Sequence, residues 1–136
     1  MKFSSAYKAI NKYVWHARKV WSKPKQAKVL IYDRVGSEVL LLYIDSEKVE
    51  ILDTRSESIN LYVLLSTILS GKFNMRDYFD HFIKFVSPTF AITFIDNNST
   101  FYRLKETAPD VTTIFVQNGT RSEICDIFGQ IKKENY

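Results

Sequence analysis

The chain has 136 residues, of which 46% are hydrophobic and 25% are charged; this balance excludes wholesale disorder and fits a single globular domain. Its only cysteine, Cys125, excludes an intrachain disulfide and a thiolate zinc cluster, and it suits a reducing compartment. No apolar run approaches the roughly 20 residues that cross a bilayer, and no signal peptide is recognisable. We therefore expect a cytoplasmic protein.

The net charge of +4 comes from the start of the chain. Residues 1–28 carry eight Lys or Arg and no acid, whereas residues 29–136 carry eleven basic and fifteen acidic residues. The basic pI is therefore not the footprint of a nucleic-acid surface on the folded body. Nucleic-acid binding through the basic, aromatic leader is the third and least favoured hypothesis.

Residues 4–21 predict a basic amphipathic helix, which Pro24 follows. Its apolar stripe recurs at helical spacing and consists of Tyr7, Ile10, Val14, Ala17 and Trp21. We divide the chain into a leader and linker, residues 1–26, and a domain, residues 27–136. Such a helix can lie on an anionic membrane surface. The alternative is a helix that packs on its own domain or on a second copy in a homo-oligomer.

Four apolar segments predict strands, and helical patterns separate them. The strands are expected near residues 28–33, 49–53, 90–95 and 112–116. The helices are expected within residues 38–44, 59–71, 75–88, 99–110 and 120–133, and the leucine-rich second one is expected to be buried on most faces. This alternation predicts a Rossmann-like α/β fold, an open parallel sheet of about four core strands with helices on both faces.

A polar cluster follows each predicted strand. Because the carboxyl ends of parallel strands meet at one edge of the sheet, we expect the clusters to form a ligand crevice there. Capping and turn formation are the alternative explanation for any single residue. The spacings of a dinucleotide fingerprint and of a P-loop are both missing, and His16 and His81 lack metal-ligand spacing, so no metal is expected.

These segments resemble a family of bacterial surface-carbohydrate biosynthesis proteins, of capsule or O-antigen type, with a GT-B-like glycosyltransferase fold. The resemblance covers roughly residues 27–128 and rests on VLIYDRVGSE at 29–38, ILDTRSESINLYVLL at 51–65, FVSPTFAITFIDNN at 85–98 and IFVQNGTRSE at 114–123. It implies sugar transfer from an activated donor to a growing surface glycan, between two Rossmann-like domains that face a cleft.

The resemblance also implies what else such an enzyme needs. Family members would continue past Tyr136 into a second domain that holds the sugar nucleotide, so this domain alone is expected to bind no cofactor. We therefore expect an acceptor-side domain that is inactive alone and is completed by a C-terminal domain or a partner chain. Its ligand would be a glycan or lipid-linked acceptor, at the inner face of the membrane.

Within this hypothesis the polar clusters receive roles. Asp33, Glu57 and Asp96 are candidate general bases or ligands of sugar hydroxyls. The candidate ligand-binding residues, whose arginines suit phosphate or a carboxylated sugar, are Arg34, Ser37, Arg55, Asn60, Asn97, Asn98, Gln117, Asn118 and Arg121. Whether the chain is an enzyme stays open, because a noncatalytic glycan- or ligand-binding or assembly module is the second function class.

Overall fold

A four-stranded parallel sheet forms the centre of the fold. The computed structural model describes residues 15–55, 57–95 and 98–116. Its strands are β1 (Arg18–Val20), β2 (Val29–Tyr32), β3 (Val49–Leu52), β4 (Ser58–Asn60), β5 (Phe90–Thr93) and β6 (Thr112–Phe115). The main sheet has the order β3-β2-β5-β6, and every neighbouring pair is parallel. The predicted Rossmann-like α/β fold and its four core strands are confirmed.

The helices follow the strands in the expected alternation. They are α1 (Ser37–Leu40), α2 (Leu61–Leu69), α3 (Met75–Val86), α4 (Ser99–Tyr102) and α5 (Leu104–Thr107), and a 3-10 turn spans Ser46–Lys48. Asn60 and Asn74 cap α2 and α3, because each side-chain oxygen accepts a hydrogen bond from a first-turn amide. Gly71, at φ 74°, ends α2. The amides of Gly71 and Lys72 donate to the Ile68 and Thr67 carbonyls, as in a Schellman motif.

The strand order changes direction between β2 and β5. From β2 the chain moves outward to β3, then returns across β2 to β5 and continues to β6. Right-handed connections place the β2–β3 crossover and the β3–β5 crossover on opposite faces of the sheet. The carboxyl ends of β2 and β5 therefore form the topological switch point at which open α/β sheets bind ligands.

Aromatic packing over the end of β2 closes the core. The Tyr32 ring is fully buried and meets Phe79 and Phe101 edge to face, with centroids 6.1 and 5.3 Å away. Such pairs contribute about 0.5–1.5 kcal/mol beyond the area that they bury. The carboxyl end of β2 is thus held rigidly between α3 and α4.

The end of the leader belongs to the domain. β1 pairs in parallel with β4, Ala17 is buried in the core, and Asn60 Nδ2 donates to the Ser22 carbonyl at 2.8 Å. The helix predicted for residues 4–21 is therefore wrong at Arg18–Val20, because pairing with β4 satisfies this backbone instead. Residues 4–14 lie outside the described residues. The domain was predicted to begin at residue 27, but residues from Ala17 onward already contact its core and its strand β4.

The leucine-rich helix α2 is less buried than its sequence indicates. Val63 and Thr67 are its fully buried residues, whereas Tyr62, Leu65, Ile68 and Leu69 are exposed. The expectation of burial on most faces is therefore wrong. Among the helices of the described segments, none has the length and apolar character needed to span a bilayer. The helix predicted for residues 120–133 lies outside the described part of the chain.

Candidate functional site

Two ion pairs cross between the carboxyl ends of β2 and β3. Arg55 Nε donates to Asp33 Oδ2 at 2.8 Å, and Arg34 donates through Nε and Nη2 to the two oxygens of Asp53 at 2.7 and 3.0 Å. The side chains of Asp33 and Asp53 are 2% and 3% exposed, whereas those of Arg55 and Arg34 are 49% and 44% exposed. Each buried carboxylate is neutralised by an arginine from the other strand end, so the cluster has no net charge.

The backbone of Asp33 makes this crossing possible. Asp33 adopts φ 84°, in the left-handed region, where its Oδ1 accepts from the Val35 amide at 3.0 Å. Aspartate tolerates this region because such a local hydrogen bond compensates the strain. Its Oδ2 accepts from Thr54 Oγ1 at 2.6 Å as well as from Arg55. Both oxygens of Asp33 are therefore engaged in orienting neighbouring groups.

Asp53 plays the corresponding part for Arg34. Besides the two bonds from Arg34, Asp53 Oδ2 accepts a short hydrogen bond from the Ser58 hydroxyl. These side-chain hydrogen bonds, with Coulomb attraction to Asp53 and Glu57, raise the pKa of Arg34 and outweigh the opposing effect of its partial burial. The Arg34–Asp53 ion pair and the Ser58 hydrogen bond to Asp53 together tie the end of β2 to the start of β4.

A cavity of about 340 Å³ opens beside the Asp33–Arg55 pair. Its apolar wall consists of Tyr32, Phe79 and Ile95, and its polar wall consists of Asp33, Thr54, Arg55, Asn98, Ser99 and Thr100. The volume is at the lower end of the range for small-molecule sites, about 300–1,000 Å³. The cavity lies at the switch point between β2 and β5, as the fold predicts.

Asn98 contributes to the cavity and also begins α4. Its Oδ1 accepts from the Thr100 and Phe101 amides at 3.0 and 3.3 Å. This oxygen is committed to the helix cap, so the amide NH₂ is the part of Asn98 that can donate to a ligand.

The structure brings together some of the predicted site residues. Asp33, Arg55 and Asn98 line one cavity, whereas Arg34 is paired with Asp53 and is not among the lining residues. Ser37 is buried in the first turn of α1. The side-chain amide of Asn60 is occupied at both ends, because its Oδ1 caps α2 and its Nδ2 donates to the Ser22 carbonyl. Their roles in binding stay predictions.

Glu57 lies away from the cavity lining. It is exposed, and its Oε2 accepts from the Arg55 amide at 3.0 Å. The remaining candidates fall outside the described residues; they are Asp96, Asn97, Gln117, Asn118 and Arg121.

Sequence reasoning did not single out Phe79 and Thr100 for the site. Phe79 belongs to the apolar stripe of α3, and this spacing predicts a core residue. It reaches the cavity because α3 packs over the end of β2, beside Tyr32. No local sequence signal distinguishes it from the other aromatic residues of the helix.

Comparison with protein-family models, with curated proteins and with solved structures finds no match for this chain. In residues 15–55, 57–95 and 98–116, no group of three or more His, Cys, Asp or Glu side chains is arranged to hold a metal ion.

Proposed function

We propose that the cavity binds a sugar residue of a glycan acceptor, and that the chain is the acceptor-side domain of a glycosyltransferase in bacterial surface polysaccharide biosynthesis. The observation that supports sugar binding best is that Asp33, Arg55 and Asn98 line the same small cavity as the Phe79 ring, at the switch point. The resemblance of these strand ends to surface-carbohydrate proteins supports the transferase assignment.

The chemistry of the walls suits hydroxyl groups. A sugar hydroxyl both donates and accepts, and the polar wall offers guanidinium, amide and hydroxyl groups within one small space. Aromatic rings offer an apolar surface for the C–H face of a sugar, which is the part that the partly exposed Phe79 would contact.

The charge balance favours an uncharged sugar over a phosphosugar. Arg55 is paired with the buried carboxylate of Asp33, so an anion in the cavity would meet a neutral ion pair and not a free positive charge. A neutral hydroxyl ligand uses the outward-facing donors of Arg55 without repulsion from Asp33. We therefore infer that a phosphate or carboxylated sugar binds less well at Arg55 than a neutral one.

The same hydrogen bonds assign a positioning role to Asp33. A general base needs an oxygen directed at the proton it removes, whereas both oxygens of Asp33 accept from protein groups. Glu57 lies outside the cavity lining, and Asp96 as a base stays a prediction. The sugar nucleotide of a full-length enzyme also stays a prediction.

A noncatalytic glycan-binding module is the second candidate. The observation in its favour is that Asp33 and Asp53, the two buried carboxylates of the described site, are both held in ion pairs. Within the described residues, such a site would bind a ligand without an unpaired carboxylate from Asp33 or Asp53 to act as a base. Sugar transfer from a sugar nucleotide to a bound glycan by this chain would exclude the module, and it would also contradict the expected inactivity of the domain alone.

Calorimetric titration of glycans selected on an array tests the proposal. Arg55→Ala removes a donor from the cavity and should weaken binding about tenfold, the effect of losing one hydrogen bond to a charged group. Arg76→Ala is the matched control, because Arg76 forms an ion pair of similar length, 2.7 Å, with Glu106 outside the cavity. Equal affinities of wild type and Arg55→Ala would remove Arg55 from the site.

A further inference from the structure

Helix α2 presents an apolar face to solvent. None of its nine residues is charged, and Tyr62, Leu65, Ile68 and Leu69 are exposed by 42%, 51%, 41% and 87%. Their spacing of three, four and seven residues places them on one side of the helix. A surface helix normally places polar residues on that side. We call these four residues the outer face of α2.

The structure places a basic segment beside the amino end of this face. In the β1–β4 register, Lys19 lies opposite Ile59 and Val20 opposite Asn60, and β4 leads directly into α2. Residues 15–28 contain five Lys or Arg and no acid. The pairing of β1 with β4 thus brings an acid-free segment to a charge-free helix.

Two aromatic residues connect the segment and the face. Lys23 Nζ lies 5.5 Å from the centroid of the Phe85 ring, which is 5.4 Å from that of Tyr62. Trp21, next to the Ser22 carbonyl that Asn60 binds, is 70% exposed. Lys23 is therefore connected through Phe85 to Tyr62 of the outer face, and the exposed Trp21 and Lys19 lie in the same short segment, which meets the amino end of α2.

We propose that the outer face of α2, with Trp21, Lys19 and Lys23, is a docking surface for an anionic phospholipid bilayer. Apolar side chains on one face of a helix enter the boundary between headgroups and acyl chains, tryptophan prefers this boundary, and lysines attract the anionic headgroups. A second copy of the chain fits less well, because a twofold contact through this face would bring the same lysines together.

The outer face of α2 is separate from the predicted leader contact and from the sugar-binding proposal. It lies on a helix of the β3–β5 crossover, although Trp21 and Lys19 of the docking surface also belong to residues 4–21 of the leader hypothesis, and no residue of the outer face lines the cavity. Loss of glycan binding would leave it unaffected.

Vesicle sedimentation with the full chain tests the proposal. The vesicles consist of phosphatidylcholine alone or of equal parts phosphatidylcholine and phosphatidylglycerol. We expect binding to the anionic vesicles, weakened as salt screens the lysines. The double variant Leu65→Ser/Leu69→Ser should lose at least about tenfold in affinity, and Lys19→Gln/Lys23→Gln roughly fivefold for each lysine.

Matched controls come from the β2–β3 crossover, which lies on the opposite face of the sheet. Leu42→Ser changes a leucine whose exposure, 78%, lies between those of Leu65 and Leu69, and Lys48→Gln changes an exposed lysine; neither should alter binding. All variants keep residues 1–14, so any contribution of the leader is constant. Circular dichroism checks that each variant is folded.

Two results would overturn the proposal. The first is unchanged vesicle affinity in Leu65→Ser/Leu69→Ser. The second is a lipid-free dimer, measured by light scattering, that this variant converts to a monomer, because the face would then be a subunit interface.

Discussion

Asp33 accepts a hydrogen bond from Arg55 across the carboxyl ends of β2 and β3, and the two partners differ sharply in burial. The carboxylate is enclosed, whereas half of the Arg55 side chain is open to solvent and lines the cavity. The pair therefore holds a partly exposed donor in one orientation by means of a buried acceptor. Removal of Arg55 leaves a buried carboxylate that water cannot reach, whereas removal of Asp33 leaves a guanidinium that water can still solvate.

Arg55→Ala should destabilise the fold by about 1–3 kcal/mol, because it leaves a buried carboxylate with fewer donors. This cost is smaller than the cost of breaking a fully buried ion pair, since the Arg55 side chain is half exposed. Arg76→Ala, which breaks an ion pair with a 31% exposed Glu106, should cost less than about 1 kcal/mol. Urea unfolding of both variants gives the comparison, and equal costs would show that the burial of Asp33 contributes nothing.

Gly36→Ala should be much more costly than Gly71→Ala. Both glycines have positive φ, 78° and 74°, which costs an alanine about 1–2 kcal/mol. A Cβ at Gly36 would also lie 2.6 Å from a ring atom of Phe94, whereas at Gly71 it meets nothing within 4 Å. Overpacking adds about 1–3 kcal/mol at Gly36 alone. Thermal unfolding measures the difference, and equal losses would mean that the Phe94 ring moves aside freely.

The centre of the main sheet was predictable because β2 and β5 are short runs of mostly apolar residues that parallel pairing buries. The edge strand β6 is largely exposed, and its β-branched and aromatic residues predicted it. β1 and β4 were not predictable. Each has three residues, Arg18–Val20 and Ser58–Asn60, without a strand pattern of its own, and each exists through pairing with the other. The exposure of α2 depends equally on tertiary contacts, because leucine-rich composition does not say what covers a helix.

For the site, the sequence predicted which strand ends meet but not which side chains pair. Asp33 is adjacent to Arg34 in sequence, yet it binds Arg55, because the positive φ of Asp33 directs its carboxylate toward β3. Phe79 lines the cavity only because α3 packs over the end of β2, and nothing in the sequence around Phe79 indicates this.

Glu50→Gln should stabilise the protein at neutral pH. Burial raises the pKa of Glu50 above its ordinary value of 4.5, and Lys25 partly offsets this effect. The folded state therefore holds the Glu50 proton more tightly than the unfolded state, and stability falls as pH rises from 4.5 through the folded pKa. The gain for the variant should be below about 1 kcal/mol at neutral pH, because Glu50 is only half-buried, and it should vanish in acid.

Lys25→Gln tests whether Lys25 offsets the cost of burying Glu50. Without the attraction of Lys25, the charged Glu50 should lower the stability of the fold further at neutral pH, so Lys25→Gln should be less stable than wild type. In a Glu50→Gln background, where no charge is left at residue 50, Lys25→Gln should change the stability less. Chemical unfolding across a pH series measures both. A larger stability for Lys25→Gln than for wild type at neutral pH would contradict the assignment.

Asn60→Ala should destabilise more than Asn74→Ala, although both asparagines cap a helix. Asn74 is exposed, and loss of its cap should cost about 1 kcal/mol. Asn60 is buried and also binds the Ser22 carbonyl, so its loss should cost about 2 kcal/mol. Hydrogen exchange should accelerate at the β1 amides in Asn60→Ala alone; acceleration in both variants would contradict a local anchor.

The pairing of β1 with β4 also constrains the order in which the chain folds. Arg18 meets Ser58, so the loop between them contains the whole β2–α1–β3 unit. A contact between residues this far apart in sequence must overcome the entropy of closing that loop, which shrinks once the enclosed unit has formed. β1 therefore joins the structure late, after β2 and β3 have paired. During synthesis β1 cannot pair until β4 has been made, so Arg18–Val20 gain their strand partner only after the whole β2–α1–β3 unit has been synthesised.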